Sequence, residues 1–227
     1  MLALVLDTAT PAITAAVVLV DPTAADRSGV TLLATRTVID AKAHGELLSP
    51  SVWSVLATAG VRSRDLGAVV AGVGPGPFTG LRVGLATAAA IGQALSIPTY
   101  GVCSLDAIGA QSRSATLVAT DARRKEIYWA VYRGGVALTE PAVDRPERVA
   151  ELLAGSEVEA AAGDGAHRYA DVLPFPLLAE PRYPPPLNLA ALAAARVRSG
   201  APSEALTPLY LRRPDAAEPH APKAVNV

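Results

Sequence analysis

Cysteine and histidine are scarce in this chain, whose 227 residues include one cysteine, Cys103, and three histidines. A single cysteine cannot form a disulfide within the chain. The histidines His44, His167 and His220 are scattered without the spacing of metal ligands. Cys103 ends an apolar run with no histidine nearby in sequence, which favours a buried structural thiol over a nucleophile. The sequence therefore predicts no metal site and no catalysis by cysteine.

The chain also lacks an excess of charge of either sign and a long apolar run. Its formal net charge at pH 7 is -1, so no overall field draws in a phosphate backbone, and we do not expect the chain to hold nucleic acid alone. Asp7 and Asp21 bracket the longest early apolar run, which is shorter than the roughly 20 residues that cross a bilayer. The amino terminus has no basic leader and too short an apolar stretch for a signal peptide. These features predict a cytoplasmic protein without a membrane span.

What the sequence does have is a regular alternation of apolar strands and helices, typical of an α/β fold. The first half is predicted to contain strands 2–6, 13–20 and 30–39, helix 44–59, strand 68–73, helix 78–95, strand 98–103 and helix 104–113. Pro50 follows Ser49, so the first helix either begins with Ser49 as its cap or continues through a kink at Pro50. We predict an N-terminal lobe over 1–113 that carries the helices used for dimerisation, a smaller C-terminal lobe over 114–214, and a disordered tail over 215–227.

The most informative segment is the glycine and proline run from Gly72 to Gly84, which follows an apolar strand and opens a helix. Glycine and proline at these positions dictate a sharp turn. The start of the helix then offers unpaired backbone N–H groups, which are suited to anions. A strand, a tight turn and a helix in this order are typical of nucleotide-type folds.

Together with Asp7 and Thr8 after the first strand, this block resembles the TsaB (YeaZ-like) family, subunits of the bacterial machinery that adds threonylcarbamoyl to adenosine 37 of certain tRNAs. The resemblance runs through most of the chain, over Leu4-Val5-Leu6-Asp7-Thr8, Ala43-His44-Gly45-Glu46, Gly74–Arg82, Asp121-Ala122-Arg123 with Tyr128, and Pro208–Arg213. It implies an actin-like, Hsp70-like ATPase fold (ASKHA, ribonuclease H-like), in which two lobes contain mixed sheets flanked by helices. This fold is shared with the catalytic paralogue TsaD.

The resemblance also implies a function and a set of partners. The chain would be a non-catalytic partner of TsaD in threonylcarbamoyladenosine formation, with the ATPase TsaE as a further partner. It would form a homodimer in isolation and reach tRNA only indirectly, through the complex. An old glycoprotease label is attached to the wider group. The alternatives are an actin-like ATPase, kinase or metallohydrolase with its own active site, and a stand-alone homodimeric scaffold.

One departure from the family pattern bears on metal binding. The TsaD family has an element of the type His-Met-Glu-Gly-His, in which two histidines one helical turn apart face the same ion. The equivalent segment here reads Ser104-Leu105-Asp106-Ala107-Ile108. Ser104 and Ile108 replace the two histidines, and neither side chain can replace an imidazole as a metal ligand. The comparison predicts no structural or catalytic metal.

A nucleotide site is the next candidate. In actin-like ATPases the first hairpin presents an aspartate and small hydroxyl residues to phosphate, and Asp7, Thr8 and Thr10 keep that outline. Ala9 adds a Cβ where the ATPases have glycine, and Gly163-Asp164-Gly165 is the only remnant of a second phosphate loop. Two interpretations stay open: these polar groups satisfy an ordinary turn, or they form a weak or partner-dependent ATP or ADP site. No cofactor is expected otherwise.

The helix that follows the glycine block carries a small residue at every fourth position, which gives it a smooth face. Each interior glycine costs a helix about 1 kcal/mol relative to alanine, so the repetition needs a packing reason. One reason is packing inside the chain; the other is a partner surface, built with the preceding helix. The predicted interface residues are Leu48, Val52, Gly80, Leu81, Gly84, Leu85, Ala88 and Gly92. On this hypothesis Gly84→Arg breaks the contact and leaves the fold cooperative.

A charged run, Arg123-Arg124-Lys125, is predicted at the tip of a hairpin formed by strands 116–120 and 126–132. Three cations at a hairpin tip are usually a solvated loop. The same run could contact an RNA phosphate. The resemblance assigns it no catalytic role.

Overall fold

The computed structural model describes residues 1–24 and 29–212. Its first sheet has five strands in the order β3-β2-β1-β4-β5. They are β1 (Leu2–Asp7), β2 (Ala12–Val20), β3 (Val30–Ile39), β4 (Ala68–Gly72) and β5 (Thr99–Val102). β1, β2 and β3 form an antiparallel meander, whereas β4 and β5 run parallel to β1. The sheet is therefore mixed.

The second sheet has the order β10-β6-β7-β8, and β9 pairs with β7 beside β8. Its strands are β6 (Thr116–Asp121), β7 (Ile127–Arg133), β8 (Val136–Ala137), β9 (Ala142–Asp144) and β10 (Ala160–Ala162). β6 and β7 form an antiparallel hairpin, and β10 is parallel to β6. Two mixed sheets flanked by helices confirm the predicted actin-like, ribonuclease H-like fold class.

Six α-helices cover these sheets within the described residues. They are α1 (His44–Ala59), α2 (Phe78–Leu95), α3 (Ser104–Gly109), α4 (Pro146–Leu152), α5 (Asp164–Arg168) and α6 (Pro186–Ser199). α1 and α2 share an apolar core with one face of the first sheet, in which Leu48 and Leu81 meet Leu4 and Leu6. α3 packs on the second sheet, where Ile108 lies in a cluster with Tyr128 and other residues of that sheet. No described helix has both the length and the apolarity to cross a membrane.

Pro50 lies inside α1, so the helix begins at His44 and continues past the proline. The start is held by Asp40, whose carboxylate accepts hydrogen bonds from the backbone N–H groups of Lys42 (2.8 Å) and Ala43 (3.1 Å). Beyond the proline, Val55 and Leu56 are buried with the rest of the apolar face. Burial of this face along the whole helix outweighs the hydrogen bond that a proline removes. Of the two alternatives left open by the sequence, the longer helix is the one formed.

α6 returns to the first lobe. Its buried face, which includes Ala190, Ala193 and Val197, packs on the side of the first sheet opposite α1 and α2, against Val5 and Val18 among others. Residues 114–214 were predicted to form one C-terminal lobe. In the structure the chain crosses back after the second sheet, and α6 packs on the first sheet. The predicted tail, 215–227, lies outside the described residues.

After α6 the chain runs along the edge of the first sheet towards the second. The Glu204 backbone N–H donates to the Thr99 carbonyl of β5 (2.9 Å), and the Leu209 N–H donates to the Val73 carbonyl (2.8 Å). Farther on, Arg212 donates to the Ala122 carbonyl in the β6–β7 hairpin (3.2 Å). This terminal segment therefore joins the two lobes across the glycine block.

Candidate functional sites: a filled cleft and an apolar groove

The carboxyl ends of the parallel strands β1, β4 and β5 meet at one edge of the first sheet, the usual place for a ligand site in an α/β fold. Asp7 ends β1, Gly74 follows β4, and Ser104 follows β5. Sequence positions nearly 100 apart are thus brought into contact. Here the Ser104 hydroxyl donates to Asp7 Oδ2 at 2.6 Å. Ser104 is the first residue of α3 and Cys103 is the capping position, so the Ser104 side chain binds the carboxylate and does not cap the helix.

Asp7 is buried, with 1 % of its surface exposed. Desolvation raises its pKa from the ordinary value of 3.8 to about 6, against the opposing effect of hydrogen bonds from Ser104 and from the backbone of Ala9. The Ala9 N–H donates to Asp7 Oδ1 at 3.1 Å. Both carboxylate oxygens therefore have partners within the chain, and the carboxyl group holds the turn after β1.

The hydroxyl groups of Thr8 and Thr10 are also occupied. Thr8 Oγ1 donates to the Gly80 carbonyl (2.8 Å) and accepts from the Gly84 N–H (3.0 Å), so it joins the β1 turn to the first two turns of α2. Thr10 Oγ1 accepts from the Ala12 N–H at 3.2 Å. These contacts match the interpretation in which the polar groups satisfy a turn. The nucleotide role of Asp7, Thr8 and Thr10 stays a prediction.

The glycine block lies against the β1 turn and leaves little room between them. A Cβ on Gly72 would overlap the Asp7 carboxylate, and one on Gly76 would overlap the backbone of Ala9. From the second sheet, the Tyr128 hydroxyl approaches the Gly76 carbonyl at 3.4 Å, a long hydrogen bond. The glycines thus allow backbone to approach backbone, where a phosphate-binding loop would need an open space.

The space that remains beside this contact is small. It is lined by Thr8, Thr10, Pro11, Ala41, His44, Pro77, Gly80, Asp121 and Arg123, and its volume is about 20 Å³. That volume holds about one water molecule and no nucleotide. Opening the cleft would require Tyr128 and the glycine block to separate.

The remnant of the second phosphate loop is packed in the same way. Gly163 has a φ of 97°, and a Cβ there would overlap the Ala119 carbonyl of β6. Asp164 Oδ1 accepts a 3.4 Å hydrogen bond from the Asp121 N–H. Burial raises the pKa of the Asp164 carboxyl to about 7, and the nearby charge of Asp121 acts in the same direction. This turn therefore serves the packing of α5 on β6.

The two positions that carry histidine in the TsaD element are Ser104 and Ile108 in this chain, and their side chains have different surroundings. Ser104 is bound to Asp7, and the Ile108 side chain is buried among apolar groups of the second sheet. His44 Nε2 contacts the Thr10 carbonyl (2.9 Å), and His167 Nε2 contacts the Leu178 carbonyl (2.8 Å). His220 lies outside the described residues. No cluster of three His, Cys, Asp or Glu side chains suited to a metal occurs within the described ranges.

The predicted interface residues need a correction. The structure buries all eight within the monomer: Leu48, Val52, Gly80, Leu81, Gly84, Leu85, Ala88 and Gly92. The small-residue face of α2 lies towards the β1 turn and β5, where a Cβ on Gly84 would overlap the Thr8 hydroxyl and one on Gly92 would overlap the Thr99 side chain. The packing reason for the repeated glycines is therefore internal, and the small-residue face of α2 does not form a free surface.

The same two helices nevertheless border an apolar groove on the outside of the molecule. Its volume is about 440 Å³, and it is lined by Leu4, Ser49, Val52, Trp53, Leu56, Ser63, Leu66, Thr87, Ala90, Ile91, Ala94 and Leu95. Trp53, on the rim of the groove, is 68 % exposed. An exposed tryptophan beside an apolar groove is a common feature of protein interfaces. Trp53 is not among the interface residues predicted from the sequence, although a tryptophan within the helix 44–59 is a visible signal.

The substitution Asp7→Asn tests the burial of the Asp7 carboxyl group in the cleft. Because the folded-state pKa is raised from 3.8 to about 6, the contribution of Asp7 to stability is complete below pH 3.8 and is lost as the pH rises through 6. The difference between those pKa values corresponds to about 3 kcal/mol. We expect the unfolding free energy of the variant, relative to wild type, to rise by about 3 kcal/mol from pH 3.5 to pH 7, measured by urea unfolding. A constant difference across this range would contradict the raised pKa.

Comparison with known proteins places these features in a family. A family model described as TsaD, tRNA N6-adenosine threonylcarbamoyltransferase, matches residues 38–216. An uncharacterized protein of Mycobacterium tuberculosis (strain H37Rv) is 48 % identical over 213 residues, which cover 94 % of this chain and 92 % of the relative. The tRNA threonylcarbamoyladenosine biosynthesis protein TsaB of Escherichia coli K12 is 36 % identical over 95 residues, 40 % of this chain and 41 % of that protein.

Among solved structures, YeaZ from Pseudomonas aeruginosa superposes with a TM-score of 0.74 at 29 % identity, covering 92 % of this chain and 99 % of that one. The chain therefore belongs to the TsaD family of the matching model. Within that family it is a TsaB/YeaZ-like protein, which confirms the resemblance found in the sequence.

Proposed function

We propose that this chain is a non-catalytic subunit in tRNA threonylcarbamoyladenosine formation, where it binds and supports a TsaD-type threonylcarbamoyltransferase. The observation that carries the proposal is the filled cleft. The chain has the fold of a transferase family, but its Asp7, Thr8 and Thr10 groups bond to the chain itself, and the space beside them is about 20 Å³. The relatives named TsaB are threonylcarbamoyladenosine biosynthesis proteins. A subunit without a working cleft contributes to such a pathway through its partners.

The surface that meets TsaD is proposed to be the groove between α1 and α2. Its lining is mostly apolar, and Trp53 provides a large exposed side chain of the kind that dominates interface energies. A standard stable interface buries roughly 1,600 Å² in total, and two helices of 16 and 18 residues can contribute to it. In the absence of TsaD, a second copy of the chain is proposed to occupy the same surface. TsaE is proposed as a further member of the complex, and the setting as the cytoplasm.

The proposal includes no cofactor bound to the isolated chain. A nucleotide could enter the cleft only by separating Tyr128 from Gly76 and breaking the hydrogen bonds around Thr8. We therefore expect isothermal titration of the isolated chain with Mg-ATP or Mg-ADP to give a Kd weaker than about 1 mM, that is, less than about 4 kcal/mol of binding free energy. Micromolar binding to the isolated chain would contradict a closed cleft and favour the alternative of an ATPase with its own active site.

A reconstituted modification assay tests the function itself. Threonylcarbamoyl transfer to unmodified tRNA is measured with TsaD, TsaE and this chain, and each is then omitted in turn. We expect no transfer when TsaD is omitted, however much of this chain is present, and a loss of transfer when this chain is omitted. Transfer by this chain without TsaD would overturn the non-catalytic role, and undiminished transfer without this chain would overturn the supporting role.

A further inference from the structure

Residues 204–212 form a terminal strap that links the two lobes outside the cleft. In the first lobe, the backbone N–H of Leu209 is hydrogen-bonded just past the end of β4. Three residues later, the Arg212 guanidinium reaches the β6–β7 hairpin of the second sheet. It donates to the Ala122 carbonyl at 3.2 Å and pairs with the Glu126 carboxylate. The strap therefore holds the tip of the hairpin from the first lobe.

Both ends of this link have more than one contact. The Tyr210 ring stacks on Phe78 at the start of α2 with centroids 5.2 Å apart, and the Tyr210 hydroxyl accepts from Arg82 Nε at 3.0 Å. At the hairpin, the side chains of Arg212 and Glu126 are only 27 % and 29 % exposed. A charge-assisted contact with this much burial contributes more than a fully exposed ion pair. The strap is therefore fixed on α2 at one end and on the hairpin at the other.

The polar contact inside the cleft is weaker than this outer link. The Tyr128 hydroxyl reaches the Gly76 carbonyl only at 3.4 Å. Thr120 lies opposite Tyr128 in the register of β6 and β7, so its side chain is on the same face, towards the glycine block. The Thr120 hydroxyl is buried and has no hydrogen-bond partner among the residues that the structure describes. A buried hydroxyl without a partner disfavours the closed cleft.

The two ends of the hairpin are held differently. At the end away from the tip, the Tyr132 hydroxyl donates to Asp106 of α3 at 2.7 Å, and its ring packs so closely on Gly109 that a Cβ there would overlap it. At the tip, the Arg123 guanidinium makes an exposed contact with the Ala41 carbonyl at 3.1 Å. The end at α3 is therefore packed tightly, whereas the tip depends on surface contacts and on the strap.

We propose that the terminal strap is a releasable strap that controls whether the cleft is open. While Arg212 is bonded to the hairpin, the cleft is closed. When these bonds break, the hairpin tip moves away from the glycine block, and the tightly packed end at α3 acts as the hinge. A partner that offers a carboxylate of its own to Arg212 favours the open form, because it replaces the bond to Glu126. The inference concerns the isolated chain and does not rest on the proposed function.

Cys103 provides a native reporter of the closed form. It is the one cysteine of the chain, and both Cys103 and Leu211 of the strap pack against the apolar cluster formed by α3 and the second sheet. Burial raises the pKa of the Cys103 thiol to about 12, and the thiolate is the form that reacts with alkylating reagents. Release of the strap withdraws Leu211 from this cluster, so Cys103 is expected to react faster in the open form.

The test compares the rate at which iodoacetamide alkylates Cys103 in the full-length wild type and in Arg212→Ala. We expect the variant to react about tenfold faster, because it loses both bonds from the guanidinium to the hairpin. The matched control is Arg148→Ala, which removes an arginine from an exposed ion pair with Glu151 in α4. The control is expected to react like wild type. An unchanged rate in Arg212→Ala would overturn the inference.

Urea separates release of the strap from a general loss of stability. A local opening exposes little surface, so the alkylation rate is expected to be nearly independent of urea at low concentrations. Reaction through global unfolding would instead accelerate steeply with urea. If the faster reaction of Arg212→Ala has the urea dependence of global unfolding, Arg212 only stabilises the fold, and the inference is overturned.

Salt and a second variant test the ion pair itself. Raising the salt concentration from about 0.05 M to about 0.5 M is expected to increase the wild-type rate about twofold and to leave Arg212→Ala unchanged, because salt screens the partly exposed pair. Iodoacetamide is uncharged, so the reagent does not contribute to this difference. Glu126→Gln is expected to react faster than wild type, and the double variant no faster than Arg212→Ala, since both changes remove the same pair. Equal salt dependence in wild type and Arg212→Ala, or fully additive effects, would contradict a strap held by this pair.

Discussion

Trp53→Arg is expected to abolish stable binding to TsaD while leaving the monomer folded. Trp53 is 68 % exposed, so the fold does not depend on its burial. At an interface centred on the α1–α2 groove, the change removes a large apolar contact and places a charge against an apolar lining. Losses at such positions reach 2 kcal/mol or more, which corresponds to about 30-fold or more in Kd. Surface plasmon resonance against immobilised TsaD measures the difference.

The control for this prediction is Val136→Arg, which places the same charge at another exposed apolar position, in β8 of the second sheet (63 % exposed). It is expected to bind TsaD like wild type. A second groove variant, Ala90→Arg, is expected to behave like Trp53→Arg, because Ala90 lines the same groove from α2. If both groove variants retain wild-type affinity and normal thermal unfolding, TsaD binds elsewhere.

Gly84→Ala is expected to destabilise the fold by about 3 kcal/mol. A Cβ at Gly84 would overlap the Thr8 hydroxyl, which is buried and bonded to both the Gly80 carbonyl and the Gly84 N–H. Overpacking of this kind costs about 1 to 3 kcal/mol, and a buried hydroxyl that loses its partners costs a similar amount. The free energy of unfolding in urea is the measurement, with circular dichroism as the signal.

The matched change is Gly45→Ala in α1, where nothing lies within 4 Å of the added Cβ. It is expected to be neutral or stabilising by up to about 1 kcal/mol, because alanine is the better helix former. Gly84→Arg, expected from the sequence to break a partner contact and keep a cooperative fold, is now expected to prevent folding. Equal stabilities for the two alanine variants would show that α2 does not pack on the β1 turn as described.

The strands and helices of the first sheet could be predicted because apolar periodicity reports which face of each element is buried. The α2 stripe shows the limit of this information. Repeated small residues such as Gly84 and Gly92 indicate a close approach, but the sequence does not say whether the approaching group is Thr8 of the same chain or a residue of a partner. Only the folded structure answers this question, because residues that are far apart in the sequence make the contact.

Ser104 and α6 illustrate the same limit. A serine before a helix is a typical N-cap, but in this fold β1 ends beside it, and the buried Asp7 carboxylate takes the hydroxyl group. The apolar face of α6 predicts burial without naming the sheet that covers it. Trp53 shows a related limit, because the apolar periodicity of α1 reports its buried face, whereas Trp53 lies on the exposed one.

The most direct measurement compares two variants in the reconstituted tRNA modification assay. Trp53→Arg alters the groove between α1 and α2, whereas Asp7→Asn alters the cleft at the end of β1 and keeps its shape. If the chain acts as a binding partner, the rate of threonylcarbamoyl transfer falls to the level without this chain for Trp53→Arg and stays near wild type for Asp7→Asn. Loss of transfer with Asp7→Asn, together with normal transfer with Trp53→Arg, would contradict the proposed function. It would indicate that the cleft at the end of β1 is an active site.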